Sequence, residues 1–386
     1  MVSKVPFVDL KAQYQSLRNE MNATVLEVLE SAQFVGGPWL DRFEKAFASY
    51  VGAGQAVGTS SGTSAIELSL KALGIGPGDD VIVPTNSFFA TAEAVSNVGA
   101  TPLFADVNAD TFHIDIASAE KVLTSRSRVI IPVHLYGWAL DMAPIEQFAK
   151  KHNLAIIEDA AQAHGVERNG RRVGSSGHFT CFSFYPGKNL GAYGEAGAVT
   201  TNDAKLAERL CLYRDHGSPS KYRHTVVGTN GRLDSLQAAV LSVKLPHLDH
   251  WNRSRHQHAE RYAHGLKGTG VLTPLIPSLG EHNFHLFVIR TPRRDQLRDY
   301  LVAQGISCSI HYPTPLHLTE AYQALGAPRV GSFPVSERLA TEILSLPMFP
   351  ELSVEQIDYT VSKITEFFEV VGRASTEGKE TATAIR

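Results

Sequence analysis

Residues 183–191 of the chain, with the sequence SFYPGKNLG, contain the side chain with the clearest potential for covalent chemistry, Lys188. A lysine amine attacks carbonyl carbons when burial or a neighbouring cation lowers its pKa and leaves it unprotonated. Lys188 follows a predicted aromatic strand and precedes a glycine, so we expect it in a loop. Most lysines are solvated at protein surfaces, and this stretch alone leaves that alternative open.

Two other stretches bear on Lys188, because they supply a carboxylate and an anion-binding turn. Residues 156–165, IIEDAAQAHG, place Asp159 at the carboxyl end of a predicted parallel strand, where open α/β sheets bind ligands. A helix N-cap is the alternative for this residue. Residues 58–65, GTSSGTSA, directly precede a predicted helix, and small residues at a helix N-terminus favour an anion. An ordinary turn is the alternative there. Together the stretches provide an anion site, a carboxylate and a lysine.

The elements that position these residues alternate between short apolar runs and longer helical patterns from about residue 55. This alternation predicts a largely parallel sheet with helices on both faces. An Arg-Asn-Gly-Arg sequence at 168–171 then predicts a hairpin. The predicted strands are 56–58, 81–83, 101–105, 129–133, 154–157, 179–184, 198–200, 288–289 and 306–310. The predicted helices are 63–73, 88–98, 116–123, 142–152, 203–214, 237–248, 251–266, 295–304 and 355–371.

The length of 386 residues and the change of pattern late in the chain suggest two domains. We expect a large α/β domain at residues 1–250 and a smaller C-terminal α+β domain at 251–386. The residues from about 374, rich in Thr, Glu and Ala, are expected to form a frayed tail.

The composition argues against several classes of protein. Hydrophobic residues make up 43% and charged residues 19%, as in globular proteins rather than disordered ones. The formal net charge of −3 comes without a basic stripe, which argues against a nucleic-acid partner. The N-terminus lacks the pattern of a signal peptide, and no apolar run approaches the roughly 20 residues that span a membrane. Three isolated cysteines indicate a reducing compartment, so the sequence predicts a cytoplasmic protein.

Three motifs give the sequence a resemblance to a known family, and the likeness runs nearly from end to end. They are EDAAQAHG at 158–165, SFYPGKN at 183–189 and GTNGRLD at 228–234. The chain resembles the DegT/StrS family of sugar-nucleotide aminotransferases, which use pyridoxal 5'-phosphate (PLP), and within it the dTDP-3-keto-6-deoxyhexose 3-aminotransferases. The resemblance implies an aspartate-aminotransferase-like fold of type I. Its large domain holds a mostly parallel seven-stranded sheet flanked by helices, beside the smaller α+β domain.

The resemblance also implies how the chain would hold PLP. Lys188 would carry the cofactor as a Schiff base and then act as the base that moves a proton. Asp159 would keep the pyridine nitrogen protonated, and Gln162 would hydrogen-bond the phenolic oxygen of the ring. Phe88 would stack on the ring face, although a core aromatic on a helix is the alternative. The phosphate would be bound by Ser61, Gly62, Thr63 and Ser183, and by Asn230 from the second subunit of a homodimer with shared active sites.

The substrate side rests on two further segments. Residues 217–224, GSPSKYRH, resemble a loop of enzymes that aminate C3 of dTDP-3-keto-6-deoxyhexoses. Lys221 would meet the diphosphate and Tyr222 the sugar, with a solvated surface loop as the alternative. His311, Tyr312 and His317 resemble a segment that closes over the substrate, with a turn carrying a structural histidine as the alternative.

The function that we expect is transfer of the amino group of L-glutamate to a keto-sugar nucleotide. The preferred substrate is a dTDP-3-keto-6-deoxyhexose, aminated at C3 to give a dTDP-3-amino-3,6-dideoxyhexose. A C4-aminating or UDP-sugar aminotransferase of the same family and a PLP-binding regulatory protein are the alternatives. No metal is expected, because the 16 histidines match no common zinc spacing, including His134, His164, His178 and His216.

Overall fold

The computed structural model describes residues 4–176 and 179–383 and contains a seven-stranded central sheet. The strands are β1 (Gln55–Thr59), β2 (Asp80–Pro84), β3 (Thr101–Ala105), β4 (Ser127–Ile130), β5 (Ala155–Asp159), β6 (Glu167–Arg168), β7 (Arg171–Arg172), β8 (Phe179–Ser183), β9 (Gly197–Thr201), β10 (Phe287–Arg290) and β11 (Ile343–Leu346). The α-helices are α1 (Leu10–Ser16), α2 (Arg18–Ser31), α3 (Pro38–Val51), α4 (Gly62–Leu73), α5 (Ala90–Asn97), α6 (Ile116–Val122), α7 (Met142–His152), α8 (Ala204–Arg214), α9 (Ser235–Lys244), α10 (Leu248–Gly265), α11 (Arg294–Ala303), α12 (Glu320–Ala324), α13 (Pro334–Glu342) and α14 (Val354–Thr383).

The central sheet has the order β1-β9-β8-β5-β4-β2-β3. The strands from β3 to β8 in this order pair in parallel, and β9 is antiparallel to both of its neighbours. Strands β2 and β9 are buried at every residue, as expected where helices cover both faces. The predicted, mostly parallel seven-stranded sheet is confirmed.

The topology brings the three sequence stretches to one edge of the sheet. Because β1 and β8 are both antiparallel to β9, they run in the same direction, and β5 runs parallel to β8. Thr59 and Ser183 each pair with Gly197, from opposite sides of β9. The carboxyl ends of β1, β5 and β8 therefore lie together, and they lead into the anion turn, Asp159 and the lysine loop.

Several predicted elements differ from the structure, including one strand and two helix ends. Residues 306–310 were predicted as a strand, but they form only the isolated bridges of Ile306 with Val5 and of Ser309 with Ser345. The ladder partner of β10 is β11 instead, so residues 306–310 have no continuous strand to pair with. Helix α5 begins at Ala90 and not at Phe88, and α14 continues to Thr383, past the predicted end at 371.

A separate hydrophobic core lies in the C-terminal part of the chain. It includes one N-terminal residue, Val5, which packs with residues that follow the predicted boundary. The boundary near residue 250 falls at the start of α10, and the division into two domains stays a prediction. Fully buried members of this core include Tyr262, Phe287, Leu297, Leu344 and Ile357.

Two expected absences concern the described ranges only. No helix of residues 4–176 and 179–383 has both the length and the apolar character needed to cross a membrane. The same ranges contain no cluster of histidine, cysteine and acidic side chains arranged to hold a metal ion. His178, one of the histidines weighed for metal binding, lies outside them.

Two buried histidines make the stability of the fold dependent on pH. Burial, aided by the charge of Lys188, lowers the pKa of His164 to about 3, and burial lowers the pKa of His282 well below its usual value. An unfolded histidine titrates near pH 6.5. Below that pH the unfolded chain binds more protons than the folded chain, so stability falls as the pH falls. We expect His164 to remove about 2 kcal/mol of unfolding free energy between pH 7 and pH 5, as measured by urea denaturation, and His282 to act in the same direction.

The variant His282→Asn provides a matched comparison. Its side-chain oxygen replaces the Nδ1 atom that accepts the Phe284 N–H at 2.9 Å, while the titrating ring is removed. The loss of stability on acidification should be smaller in this variant than in the parent chain. If the variant and the parent chain lost equal stability on acidification, His282 would not be a source of the pH dependence.

Candidate active site

Lys188 lies in a loop that leaves β8 and turns back on itself. The Lys188 backbone N–H donates to the Tyr185 carbonyl at 2.8 Å, and the Ala192 N–H closes the loop on the Phe184 carbonyl at 2.7 Å. Burial lowers the pKa of the Lys188 amine to about 8, against the opposing charge of Asp159. A lysine with this pKa is partly unprotonated near neutral pH, so it can act as a nucleophile or a base.

Asp159 is buried at the carboxyl end of β5, where it pairs with Cys181 of β8. Its Oδ2 accepts a hydrogen bond from the Thr91 hydroxyl at 2.7 Å, and its Oδ1 accepts one from the Ala161 N–H at 3.1 Å. The second bond is a local cap of the following turn, as the N-cap alternative expects. The carboxylate also acts on the Lys188 amine through its charge. Asp159 therefore combines a local structural role with a position in the candidate site.

Gln162 is held in one orientation by a backbone donor. Its Oε1 accepts the Tyr136 N–H at 2.6 Å, which directs the amide Nε2 to the other side. There Nε2 donates to the Tyr312 hydroxyl at 3.2 Å. The arrangement gives the site an oriented N–H donor next to Asp159, as a phenolic oxygen requires.

Phe88 precedes α5 and is 55% exposed. Its ring centroid lies 5.7 Å from that of Tyr312, with an interplanar angle of 43°. The alternative of a core aromatic on a helix does not fit an exposed ring outside the helix. The face of Phe88 is available to a planar ligand, and its stacking role stays a prediction.

The N-terminus of α4 forms the candidate anion site. Ser61 is the N-cap, and its hydroxyl accepts the Ser64 N–H at 3.0 Å. A Cβ added to Gly62 would lie 2.6 Å from the Cβ of Ser183, so only glycine allows β8 to approach this closely. The backbone N–H groups of Gly62 and Thr63 stand in the first turn of the helix, where no intrahelical acceptor exists. Helix N–H groups, a helix dipole and the nearby Ser183 hydroxyl are the donors that a phosphate prefers.

Asn230 is exposed and forms an isolated antiparallel bridge with Asp215. The next residue, Gly231, accepts the Ser60 N–H at 2.8 Å through its carbonyl. This segment therefore runs beside the anion site of its own chain. The role predicted for Asn230, binding phosphate across a dimer, stays a prediction.

Lys221 and Tyr222 lie on an exposed turn, and 86% of Tyr222 is accessible. The Lys221 Nζ is 5.2 Å from the centroid of the Tyr222 ring. In the single chain this geometry fits the surface-loop alternative, and contact with substrate stays a prediction for both residues.

The segment from His311 to His317 contacts the candidate site at its first two residues, whereas its last residue contacts other parts of the chain. The Tyr312 hydroxyl meets Gln162, and burial raises the pKa of Tyr312. His311 Nδ1 lies 2.9 Å from the Ser345 hydroxyl, and burial together with the charge of Lys188 lowers its pKa to about 4. His317 is fully buried, with ring nitrogens 2.5 Å from Thr85 Oγ1 and 3.2 Å from a Glu337 oxygen. Its geometry matches the structural alternative.

Thr91 and Tyr136 are site residues that the sequence analysis missed. Thr91 donates its hydroxyl proton to Asp159, so the Ser87 hydroxyl, 2.7 Å away, must donate to Thr91. Ser87 precedes α5 and Thr91 lies in its first turn, and a spacing of four residues is too common to be a signal. Tyr136 acts through its backbone N–H, which leaves no trace in side-chain chemistry.

Replacing Thr91 by valine tests the bond to Asp159. The side chains have nearly the same shape, but valine removes the donor to the carboxylate. Because a hydrogen bond to a charged group contributes about 1.5–3 kcal/mol, we expect the rate of amine exchange to fall about 10-fold or more. Thr91→Ser is the control, since it keeps the hydroxyl, and stopped-flow absorbance is the measurement. A valine variant as fast as the serine variant would show that the bond is unimportant.

The residues present fit PLP. Lys188 has the lowered pKa of a carbonyl-reactive amine, Asp159 offers a carboxylate to a pyridinium, and Gln162 has an oriented donor. The close approach of Gly62 to Ser183 brings the N-terminus of α4 next to the Ser183 side chain, a combination of donors that suits a phosphate. The structure therefore brings together the lysine, the carboxylate, the amide and the anion site predicted from sequence.

Comparison with known proteins covers almost the whole chain. The model of the DegT/DnrJ/EryC1/StrS aminotransferase family matches residues 15–365. A dTDP-3-amino-3,4,6-trideoxy-alpha-D-glucose transaminase of Streptomyces venezuelae is 47% identical over 96% of this chain and 98% of its own length. A UDP-N-acetyl-3-dehydro-alpha-D-glucosamine 3-aminotransferase of Acidithiobacillus ferrooxidans is 46% identical over 92% and 95%, respectively. A pleiotropic regulatory protein of Geobacillus stearothermophilus is 46% identical over 94% and 98%.

Solved structures share the fold. The structure of S. venezuelae DesV in complex with a ketimine intermediate has a TM-score of 0.93 and 47% identity, covering 95% of this chain and 99% of DesV. NtdA of Bacillus subtilis with bound cofactor PMP has a TM-score of 0.88 and 32% identity, covering 96% and 86%. The predicted fold class, an aspartate-aminotransferase-like fold of type I, is confirmed.

Proposed function

The chain belongs to the DegT/DnrJ/EryC1/StrS aminotransferase family, and from this membership we propose that it transfers the amino group of L-glutamate to C3 of a dTDP-3-keto-6-deoxyhexose. The family uses PLP, so the protein is a PLP-dependent aminotransferase. The proposed product is a dTDP-3-amino-3,6-dideoxyhexose, and the amino donor leaves as 2-oxoglutarate.

One observation carries the enzymatic part of the proposal. The Lys188 amine, with its pKa lowered to about 8, faces the charge of Asp159 at the sheet edge that also holds the anion site. An amine in this state can both bind a carbonyl group and move a proton at neutral pH. A lysine kept only for solubility would be exposed and fully protonated.

The chain's own groups divide the work of amine transfer. Bound PLP supplies an electron sink for the bond broken at the amino-bearing carbon. Lys188 would hold the cofactor covalently, and its amine, once free, would accept the proton from that carbon. Asp159 keeps the pyridine nitrogen protonated, and Gln162 donates to the phenolic oxygen. The α4 N-terminus and Ser183 bind the phosphate, so the ring keeps its position while covalent bonds at Lys188 change.

The choice of substrate rests on the relatives. The S. venezuelae protein is named for amination at C3 of a dTDP sugar, and it is similar to this chain over nearly its full length. The A. ferrooxidans protein is named for C3 amination of a UDP sugar at almost the same identity, so it supports a UDP substrate as the second candidate. Both names support C3 over C4.

The absorption spectrum of the purified protein, before and after addition of L-glutamate, tests the cofactor and the donor. We expect a yellow band that bleaches as one equivalent of 2-oxoglutarate per site appears. A protein that binds PLP but ignores glutamate would favour another donor, or a regulatory role such as the name of the G. stearothermophilus relative indicates. A protein that takes up no PLP would overturn the proposed function.

A panel of keto-sugar nucleotides tests the acceptor. The glutamate-treated protein is mixed with 3-keto and 4-keto sugars attached to dTDP or UDP, and recovery of the yellow band is followed. We expect recovery with the dTDP-linked 3-keto-6-deoxyhexose at the highest kcat/KM. Recovery only with a 4-keto sugar or only with UDP sugars would refute the proposed substrate. The protein would still be an aminotransferase.

We propose further that the active unit is a homodimer with shared sites, in a cytoplasmic setting. The exposed Asn230 supports this, because it lies next to the anion site and is free to reach a second subunit. Mixing Lys188→Ala and Asn230→Ala subunits tests the sharing. A hybrid dimer then has one site with both defects and one with neither, so activity should reappear on mixing. No recovery in verified hybrids would place Asn230 in its own subunit's site.

A further inference from the structure

Helix α9 presents two polar side chains to the loop that follows Lys188. Gln237 and Lys244 lie about two turns apart, so they share one face of the helix. The Gln237 Oε1 accepts the Tyr193 N–H at 2.8 Å, and the Lys244 Nζ donates to the Gly191 carbonyl at 2.6 Å. One helix face therefore holds the returning limb of the loop at two backbone positions.

Lys244 is fully buried, an uncommon position for a lysine. Its Nζ lies 4.2 Å from the centroid of the Tyr193 ring, which covers it with a face suited to a cation. In the described part of the chain no carboxylate forms an ion pair with this amine, and Glu351 acts on it only through its charge at longer range. Burial lowers the pKa of Lys244 to about 7. An apolar side chain would cost less to bury here, so stability alone does not explain the lysine.

The loop leaves little freedom for its backbone once both limbs are fixed. A Cβ added to Gly191 would lie 2.3 Å from the Pro186 carbonyl oxygen, so the two limbs are in direct contact. Between Lys188 and Gly191 the loop is tied by Asn189, whose amide donates to Asn252 Oδ1 at 2.9 Å. Lys188 directly precedes these attachments, and its side chain makes no described hydrogen bond of its own. The position of its amine is therefore set by the loop.

We propose that Lys244 is a positioning residue for the reaction, which fixes the Lys188 amine by holding the Gly191 carbonyl while its own amine lies against the Tyr193 ring. The inference rests on the proposed function of Lys188. Lys244 touches neither the cofactor site nor the substrate segments, and it acts through the loop backbone. Displacing a reacting group by about 1 Å costs up to about 100-fold in rate, so a modest shift of the loop has a measurable effect.

The variant Lys244→Met tests the proposal in the holoenzyme and in the cofactor-free protein. Methionine fills a similar volume without the ammonium group, so we expect the thermal midpoint to stay the same or rise. The rate of the glutamate half-reaction should fall about 10-fold, with KM for glutamate within about twofold. The pH titration of the bound cofactor's absorbance should shift, and amide hydrogen exchange at residues 189–193 of the cofactor-free protein should quicken. A purely structural role would instead lower the thermal midpoint and leave the titration in place.

Tyr193 supplies a second pair of variants if Lys244→Met does not fold. Tyr193→Ala uncovers the ammonium, and it should slow the half-reaction about threefold and shift the titration the same way. Tyr193→Phe keeps the aromatic face and should match the parent enzyme. If the parent protein reacts with glutamate, unchanged rates and titrations in Lys244→Met or in Tyr193→Ala would overturn the inference. A parent protein without PLP would instead refute the proposed function.

Discussion

Lys188→Ala is expected to purify without covalently bound PLP and to lose at least about 10³-fold in the rate of amine exchange, because both the nucleophile and the base are removed. The loss should appear in the half-reaction with glutamate and in that with the keto sugar. Absorbance after denaturation reports the covalent link, and 2-oxoglutarate production reports the rate. The anion site, Asp159 and Gln162 remain, so PLP should still bind noncovalently.

Two comparisons make the result specific to this amine. Lys205→Ala removes an exposed lysine from α8 and should leave both measurements unchanged. Adding ethylamine to Lys188→Ala should restore part of the rate, because a free amine can enter the space of the missing side chain and carry the proton. Normal exchange by Lys188→Ala would refute the central assignment.

Asp159→Asn should keep the covalent link and still slow amine exchange by about 10³-fold. Two charges 3–4 Å apart attract by about 4–5 kcal/mol at an effective dielectric constant near 20, and about 1.4 kcal/mol corresponds to a factor of ten. The local geometry should survive, because the asparagine oxygen can accept the Ala161 N–H and its amide can donate to Thr91.

The same variant makes a second prediction with a definite sign. The negative charge of Asp159 raises the pKa of Lys188 against the effect of burial. Its loss should move the Lys188 pKa below about 8 in the cofactor-free protein, as followed by the pH dependence of amine labelling. Asp141→Asn, at the exposed N-cap of α7, is the control for loss of a remote carboxylate. If Asp159→Asn exchanged amines as fast as Asp141→Asn, a role for Asp159 would be excluded.

The sequence predicted most of the central sheet because its signals are local. Strand β3 and helix α7 have the predicted bounds, and both come from periodicity within a dozen residues. The missed strand β11 shows the limit of such signals. It pairs with β10, from which it is separated by three α-helices, and the run at 306–310 was predicted as a strand in its place. Pairing between distant segments, rather than propensity, decided which run became the strand.

The candidate site likewise contains residues that local motifs predict and contacts that only the fold creates. Lys188, Asp159 and Gln162 are fixed by short motifs whose residue types carry their chemistry, and the strand order brings these motifs to one edge. The contact of Gln162 with Tyr312 joins residues 150 positions apart, and that of Lys244 with Gly191 joins residues 53 apart. Contacts between residues so far apart in the chain produce no periodic pattern from which a single sequence could predict them.

By itself the sequence determined which groups do the chemistry, the family to which they point and the alternation that builds the sheet. Only the tertiary structure decided which groups orient them: the Thr91 hydroxyl on Asp159, the Tyr136 N–H on Gln162 and the buried Lys244 behind the lysine loop. It also placed the buried His317 between Thr85 and Glu337. The reason is physical, because reactivity belongs to a side chain, whereas orientation and burial belong to neighbours that the chain assembles only when it folds.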